Sequence, residues 1–425
     1  MTQSLWRHRD FLKLWAAQAV SAFGSRITRE GLPMAAILTL DARPAQLGLL
    51  AALSMGPGVI LGLFAGGWAD RNYRRPILIG ADLLRVLLLL SVPIAAWMQW
   101  LSMPQLYLVA AGVGAASLMF AIADHAYLPS LIAREQLLEG NTKLGVTESV
   151  AEIGGPALAG LLFRWLTAPV ALLVNAGTYL VSAVFLWSIR TPEPPPQPVE
   201  KAQHPFSDLM FGVRAIMDQP LVRPLLVMTI VQTLFSSFFA GLYLLFAIKT
   251  LGLPTALLGL VIAVGGVGAL LGALIAPVVV RRLGLGPAII GLGLLSAASA
   301  VVIPLAPATV IGGATFLIVG QILGDALAVA AMIPAGTLRQ SLFAQARLGR
   351  TGAVFHVARG AMSVVGALIG GGLAQAIGIR EAMWVAVAGM VLAGLIPIFS
   401  PLRTLKAIPS SDYPDLGQDD RFAGV

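Results

Sequence analysis

Twelve long apolar runs, broken by short charged or Pro/Gly-containing stretches, dominate this chain of 425 residues. They cover 11–38, 45–68, 77–101, 104–131, 143–165, 168–189, 222–248, 255–280, 285–306, 308–336, 352–377 and 381–400. A helix that crosses a bilayer needs about 20 mostly apolar residues at ~1.5 Å of rise each, and the runs meet that length. Inside lipid no water takes up loose peptide N–H and C=O groups, so such runs must be helical. They are too long for strands of an outer-membrane barrel and lack strict alternation. Composition agrees, because only 11% of residues are charged against about 25% in a soluble domain. That excludes an ordinary soluble enzyme and a disordered chain. The first run follows Arg7, Arg9 and Lys13 without a small-residue cleavage site, and is expected to be a retained helix rather than a signal peptide.

Lys and Arg in the loops orient such a bundle, because basic loops stay in the cytoplasm. Of the 28 Lys and Arg, Arg26, Arg29, Arg85 and Arg359 lie inside runs, and Arg43, Arg164, Lys249 and Arg380 lie on one side. The other 20 share the side of both termini, so both termini are expected in the cytoplasm. This also accounts for the net charge of +8 without nucleic acid, since the basic residues are spread over loops as topology requires.

The longest polar interior stretch, 190–220, opens with the stiff, extended Thr191-Pro-Glu-Pro-Pro-Pro-Gln-Pro198. It continues into 205–219, where Phe206, Leu209, Met210, Val213, Ile216 and Met217 fall at helical spacing, as in a short amphipathic helix lying on a membrane face. This stretch divides the runs six and six. The halves resemble each other at a shift of about 210. Pro156-Ala-Leu-Ala-Gly160 falls on Gly366-Ala-Leu-Ile-Gly370, Leu47-Gly-Leu-Leu on Leu258-Gly-Leu-Val, and Asp70-Arg71 on Arg281-Arg282. The expected fold is therefore an all-α membrane protein of 12 transmembrane helices, in two six-helix bundles related by a pseudo-two-fold axis. The expected divisions are a first bundle at 1–190, a cytoplasmic linker with its helix at 191–220, a second bundle at 221–402 and a cytoplasmic tail at 403–425. Duplicated six-helix halves are the architecture of an alternating-access transporter, with its substrate site between the halves near the midplane.

After the second run the chain reads Gly66-Gly-Trp-Ala-Asp70-Arg71-Asn-Tyr-Arg74-Arg75-Pro. This resembles the Gly-x-Leu-Ala-Asp-Arg-x-Gly-Arg-Arg signature of the major facilitator superfamily, with Trp68 and Tyr73 as departures. In the fifth run, Ala151-x-x-x-Gly155-Pro156-x-x-Ala159-Gly160 is similar to that superfamily's antiporter signature, associated with exporters, with Ala at two of its Gly positions. Arg9-Asp-Phe-Leu-Lys-Leu-Trp15, Ala81-Asp-Leu-Leu-Arg85, Tyr127-Leu-Pro-Ser-Leu131 and Glu139-Gly-Asn-Thr-Lys143 resemble a bacterial drug-efflux-like branch. The resemblance implies that Asp70 and its neighbours Arg71, Arg74 and Arg75 lock the cytoplasmic side closed, and that Gly155, Pro156 and Gly160 shape a gate helix. Many proton-coupled relatives carry an Arg in the fourth span. Residues 104–123 contain no basic residue, so coupling groups, if any, lie elsewhere.

An ionisable group at bilayer depth costs at least ~2.5–3.5 kcal/mol on insertion scales, so each needs a reason. Arg26, Arg29 and Glu30 share one face of the first run. Glu30 stands roughly 28 Å along it. Either this face borders the cavity, with Glu30 titrating, or Arg26 and Glu30 form a structural pair. A second layer, Asp82, Arg85, Asp124, Glu148 and Glu152, reads as a brace of the cytoplasmic gate, with Arg85 pairing with Asp82 or Asp124. In the second half Asp325 lies one turn from Gln321, at a depth similar to Arg359. Gln232 and Ser236 add neutral polar groups that either bind substrate or join helices. Away from the run ends six carboxylates stand against four cations. A surplus carboxylate in a low-dielectric medium favours its protonated form, the physical basis of proton antiport.

No phosphate-cradling Gly-rich loop ending in Lys-Ser/Thr is present, nor a Ser-centred elbow, and four scattered His with no Cys give no metal cluster. The chain is therefore expected to be no enzyme, to need no cofactor and to use no ATP. The expectation is a monomeric secondary transporter in the bacterial inner membrane. It would export small amphipathic, drug-like molecules by alternating access in exchange for protons. A dedicated exporter of one metabolite such as a siderophore, an importer, and a membrane sensor that has lost transport are the alternatives.

Overall fold

The computed structural model describes residues 5–195 and 205–408, with the side chains of 63–70, 205, 345 and 346 left aside. The expected runs become helices. In order these are α1 (Arg9–Thr39), α2 (Pro44–Asp70), α3 (Arg74–Trp97), α4 (Met103–Leu131), α5 (Leu137–Trp165), α6 (Ala168–Ser188), α7 (Pro205–Met217), α8 (Arg223–Leu245), α9 (Thr255–Leu283), α10 (Leu285–Ser299), α11 (Val310–Leu342), α12 (Gln345–Ile377) and α13 (Ile379–Leu395). All regular structure among the described residues is helical. Among the described residues ten helices are long and apolar enough to cross a membrane. The two expected spans outside that set are α1 and α5. They have ample length, 31 and 29 residues, and fall outside through the charges they carry.

The packing repeats between halves. In the first, α1 packs on α5 and α6, α3 on α4 and α6, and α2 on α4. In the second, α8 packs on α12 and α13, α10 on α11 and α13, and α9 on α11. Each contact maps onto its counterpart when α1–α6 are laid on α8–α13, as the 210-residue shift requires. The halves meet through α2 with α12 and α5 with α9, and these two pairs exchange under the same operation.

Both inter-half seams are tightest at the face opposite the termini. A Cβ at Gly48 would lie 2.4 Å from the Ala367 carbonyl oxygen and 2.9 Å from the Gly371 Cα. One at Gly160 would lie 2.7 Å from the Gly259 Cα. Only hydrogen fits between backbones that close. The seams continue to about the helix midpoints, where Gly360 meets Val59 and Gly266 meets Ile153. Large buried side chains of both halves, among them Met34, Leu47, Phe238 and Phe246, share one core there. Across that face Lys249 Nζ pairs with the Asp41 carboxylate. Asp41 sits in the left-handed region at φ 50°, a conformation Asp tolerates better than most residues. Lys249 lies in a π-helical turn, Phe246–Thr250, that extends α8.

The short helix α7 falls on the expected amphipathic segment, and it packs on α12. Asp208 pairs with Arg350 at 2.9 Å, Phe211 lies under the guanidinium of Arg350 at 4.9 Å, and Ile216 is fully buried. The Pro-rich linker from 196 to 204, the end of the tail from 409 and the side chain of Asp70 lie outside the described residues.

Candidate functional site

Where the seams end, α1 and α5 of the first half face α8, α9 and α11 of the second. Two arginines and four carboxylates gather around this region. Arg26 of α1 reaches across to α5, where its Nη2 donates to Glu148 at 2.5 Å and also pairs with Glu152. Arg29, one turn on, bonds Glu30 through Nε at 3.1 Å and Glu152 through Nη1 at 3.3 Å. The carboxylate of Glu30 is thus held by Arg29, while Arg26 turns to α5. The expected Arg26–Glu30 pair is replaced by a network joining two helices. Helical spacing put all three side chains on one face but left open what α5 would present to them. Gly155 permits this arrangement, since a Cβ there would lie 2.5 Å from the Arg26 Cγ. Exposure grades outward along the network. The Glu30 side chain is 12% exposed, Glu152 49% and Glu148 58%, so the network runs from protein interior to open water.

Asp325 of α11 lies opposite. Its carboxylate, with the Gln321 amide beside it, fills the space left by the missing side chain of Gly265 on α9. Gly268 and Gly272 bring α9 against the α11 backbone at Ile322 and Ala326, which sets the depth of Asp325. Among the described residues no ion pair joins Asp325 to Arg359. The exposed Arg359 faces Arg339 instead, and the guanidinium of Arg339 stacks over Phe355 at 4.8 Å. Asp325 stands in the electrostatic field of Glu152. Tyr243 of α8 bridges the halves electrically, lying within reach of both Asp325 and Glu30. Its hydroxyl is buried without a hydrogen-bond partner among the described residues. Gln232 is half-buried on the same helix, and Ser236 spends its hydroxyl on the Thr233 carbonyl at 3.3 Å.

Of the expected gate residues, Glu148 and Glu152 belong to the Arg26 and Arg29 network, and the rest divide into three groups. Asp82 and Arg85 pair at 2.8 Å and are fully buried, 0% and 3% exposed. The guanidinium is sandwiched between Phe120 at 4.5 Å and Tyr179 at 4.3 Å. This pair lies inside the first half, away from water. Asp124 accepts from Gln18 and ties α4 to α1. The signature loop is tied by a residue the sequence reading passed over. Glu193, just after α6, accepts from the backbone N–H of Arg74 at 2.6 Å and of Arg75 at 3.1 Å, while the Arg75 guanidinium donates to the carbonyls of Leu186 and Trp187. Arg71 is exposed. A carboxylate at the N-terminus of α3 meets the unpaired amides and the positive end of the helix dipole. That signal was available in the sequence as the single acid of the Pro-rich stretch.

Pro156 and Gly160 form the part of α5 that meets α9, with the Pro156 carbonyl set against Gly259, while Gly155 faces α1. In this region two guanidinium groups (Arg26, Arg29) stand with four carboxyl groups (Glu30, Glu148, Glu152, Asp325). Such a site suits a proton or an organic cation better than an anion.

The family model of the Major Facilitator Superfamily matches residues 14–324. Along 417 residues, 94% of this chain and 95% of the relative, the sequence is 26% identical to an uncharacterised MFS-type transporter, YfiS of Bacillus subtilis (strain 168). It is 30% identical over 181 residues, 42% of each chain, to the enterobactin exporter EntS of Escherichia coli O1:K1 / APEC. In fold the chain is similar to the nucleoside transporter NupG, with a TM-score of 0.74 at 13% identity over 92% of this chain and 98% of that one. A bacterial homologue of the iron transporter ferroportin in an inward-facing state gives 0.73 at 17% identity over the same shares, and one in an outward-facing state 0.57 at 19%.

Proposed function

Because this chain belongs to the major facilitator superfamily of membrane transporters, we propose that it exports small amphipathic, drug-like compounds across the bacterial inner membrane by alternating access, in exchange for protons. Membership makes it a secondary transporter and not an enzyme. In this reading α1 and α5 also cross the bilayer, giving twelve spans, with both termini in the cytoplasm. The described state is then inward-open, which agrees with the closer likeness to an inward-facing relative.

The observation that carries the reading is the Glu30–Asp325 arrangement. Each half contributes one carboxyl group to the deep end of a water-exposed charge network, with the Tyr243 hydroxyl between them. In alternating access a site of this kind is offered to each side in turn. A carboxyl that binds a proton from outside and releases it inside drives a substrate the other way. Glu148 and Glu152, nearer the opening, attract a cation entering from the cytoplasm. Asp82, Arg85 and Asp124 brace the first half, and Asp70, Arg71, Arg74 and Arg75 act at the cytoplasmic closure. The protein works as a monomer in the bilayer, without ATP, metal or nucleic acid.

A dedicated siderophore or metabolite exporter is the second reading, favoured by the partial likeness to the enterobactin exporter. The test is flux in proteoliposomes with an imposed pH gradient, over a panel of organic cations and a catechol siderophore. Glu30→Gln and Asp325→Asn should each abolish gradient-driven flux with normal folding. Wild-type flux in both variants would remove the site from the mechanism, and gradient-independent flux would remove the protons.

A further inference from the structure

The two halves cap the starts of their third helices in the same way but with different chemistry. In the first half the segment leaving the last helix returns to the start of α3, and the Glu193 carboxylate takes the amides of Arg74 and Arg75. In the second half the segment leaving α13 returns to the start of α10. There the Leu285 amide donates to the Lys406 carbonyl at 3.0 Å and the Gly286 amide to the Leu405 carbonyl at 2.8 Å. Gly284 makes the sharp turn between α9 and α10 at φ 90°. Main-chain oxygens thus replace the carboxylate, and the chain delivers a lysine where the first half delivers an acid.

The position that carries Asp70 in the first half carries Arg281 in the second, with Arg282 after it. Arg281, Arg282 and Lys406 therefore converge on one groove of about 680 Å³. All three are exposed, and none has an ion-pair partner among the described residues. The walls are apolar. Leu283 is 57% exposed, Ile408 46% and Ile333 38%, and Pro277 and Pro334 complete the lining. A second groove, of about 520 Å³, runs along α3 and α4 of the first half from Asn72 to Met119, and none of the described residues lining it is charged.

We propose that this groove, at the membrane face carrying the termini, binds an anionic phospholipid. The phosphate meets Arg281, Arg282 and Lys406, and the acyl chains lie along the apolar wall between α9 and α11. Charge and shape complement this ligand together. Basic pockets between membrane helices hold anionic head groups, each cation adding attraction at the surface, while the exposed Leu, Ile and Pro side chains offer the chains a lipid-like surface. The groove volume lies within the roughly 300–1,000 Å³ of small-molecule sites. The site stands apart from the central cavity and does not depend on what the protein transports.

The full chain is delipidated in detergent and titrated with dioleoyl phosphatidylglycerol or dioleoyl phosphatidylcholine, with bound lipid read by native mass spectrometry. Phosphatidylglycerol should be retained selectively. The variant Arg281→Gln/Arg282→Gln/Lys406→Gln should bind it about a hundredfold more weakly, the weight of three surface cations. Arg282→Gln alone should lose an intermediate amount and keeps the test valid if the triple variant folds poorly. A control with three other cations of the same face removed, Arg134→Gln/Arg190→Gln/Arg223→Gln, should bind as the wild type does. Equal retention of both lipids, an equal loss in the control, or displacement by millimolar inorganic phosphate would overturn the proposal. So would binding seen only after deletion of residues 409–425, which would assign the groove to the chain's own tail.

Discussion

Replacing Gly48 with alanine should open the face opposite the termini. The new Cβ would stand 2.4 Å from the Ala367 carbonyl oxygen and 2.9 Å from the Gly371 Cα. Ordinary contact begins near 3.4 Å, so α2 and α12 must part by about 1 Å. Both obstacles are backbone, which no rotamer change relieves. Overpacking of this kind costs about 1–3 kcal/mol. The seam exists only while that face is closed, so the cost falls on the described state and not on its alternative. The population ratio should move about 5- to 150-fold toward the state open at the opposite face. The chain has no cysteine, so spin labels at Arg164→Cys and Ile377→Cys, one in each half, report alone. Their electron–electron distance distribution should gain a longer component in Gly48→Ala. Gly80→Ala, whose Cβ meets nothing within 4 Å, should leave the distribution unchanged. A Gly48→Ala protein that melts normally and keeps the wild-type distribution would refute the seam as a determinant of state.

Three further outcomes follow from the charges. The hydrogen bond and charge of Lys249 hold the Asp41 carboxyl below its ordinary range, so this pair is intact at neutral pH and is lost only as pH falls through the depressed value. Lys249→Gln should therefore shift the same label pair modestly toward the open form by an amount that is constant from pH 8 to about 4, and high salt acting on so exposed a pair should shrink that difference. Asp82→Asn leaves the Arg85 charge buried without its counter-ion and should cost about 3–5 kcal/mol, read as a lower melting temperature, with Asp82→Leu/Arg85→Met recovering most of it. Glu193→Gln weakens the cap on α3, and by about 1–2 kcal/mol should speed hydrogen exchange at the Arg74 and Arg75 amides. Unchanged exchange there would show that the carboxylate does not hold the loop.

The helices and their order were legible in the sequence because lipid leaves a chain almost no other way to satisfy its backbone. Periodicity likewise put Arg26, Arg29 and Glu30 on one face, and the repeat anticipated which helices pack together. Partner choice was not legible. Arg26 prefers Glu148 and Glu152 over Glu30 because α5 approaches at Gly155, an event 129 residues away along the chain. Asp325 and Arg359 share a depth but point apart, since the vacancy at Gly265 draws the carboxylate toward α9. The sandwich of Arg85 between Phe120 and Tyr179 needed three helices to meet.

Hydropathy and the repeat are local, additive properties, and they determined that this protein is a duplicated bundle of membrane helices with a few costly charges at depth. Which charges join, which face water, which side of the bundle is closed and which cations share a groove were decided by tertiary packing alone. Each depends on the distance and angle between helices far apart in sequence. A shift of about 1 Å between two glycine-lined backbones is enough to change the answer.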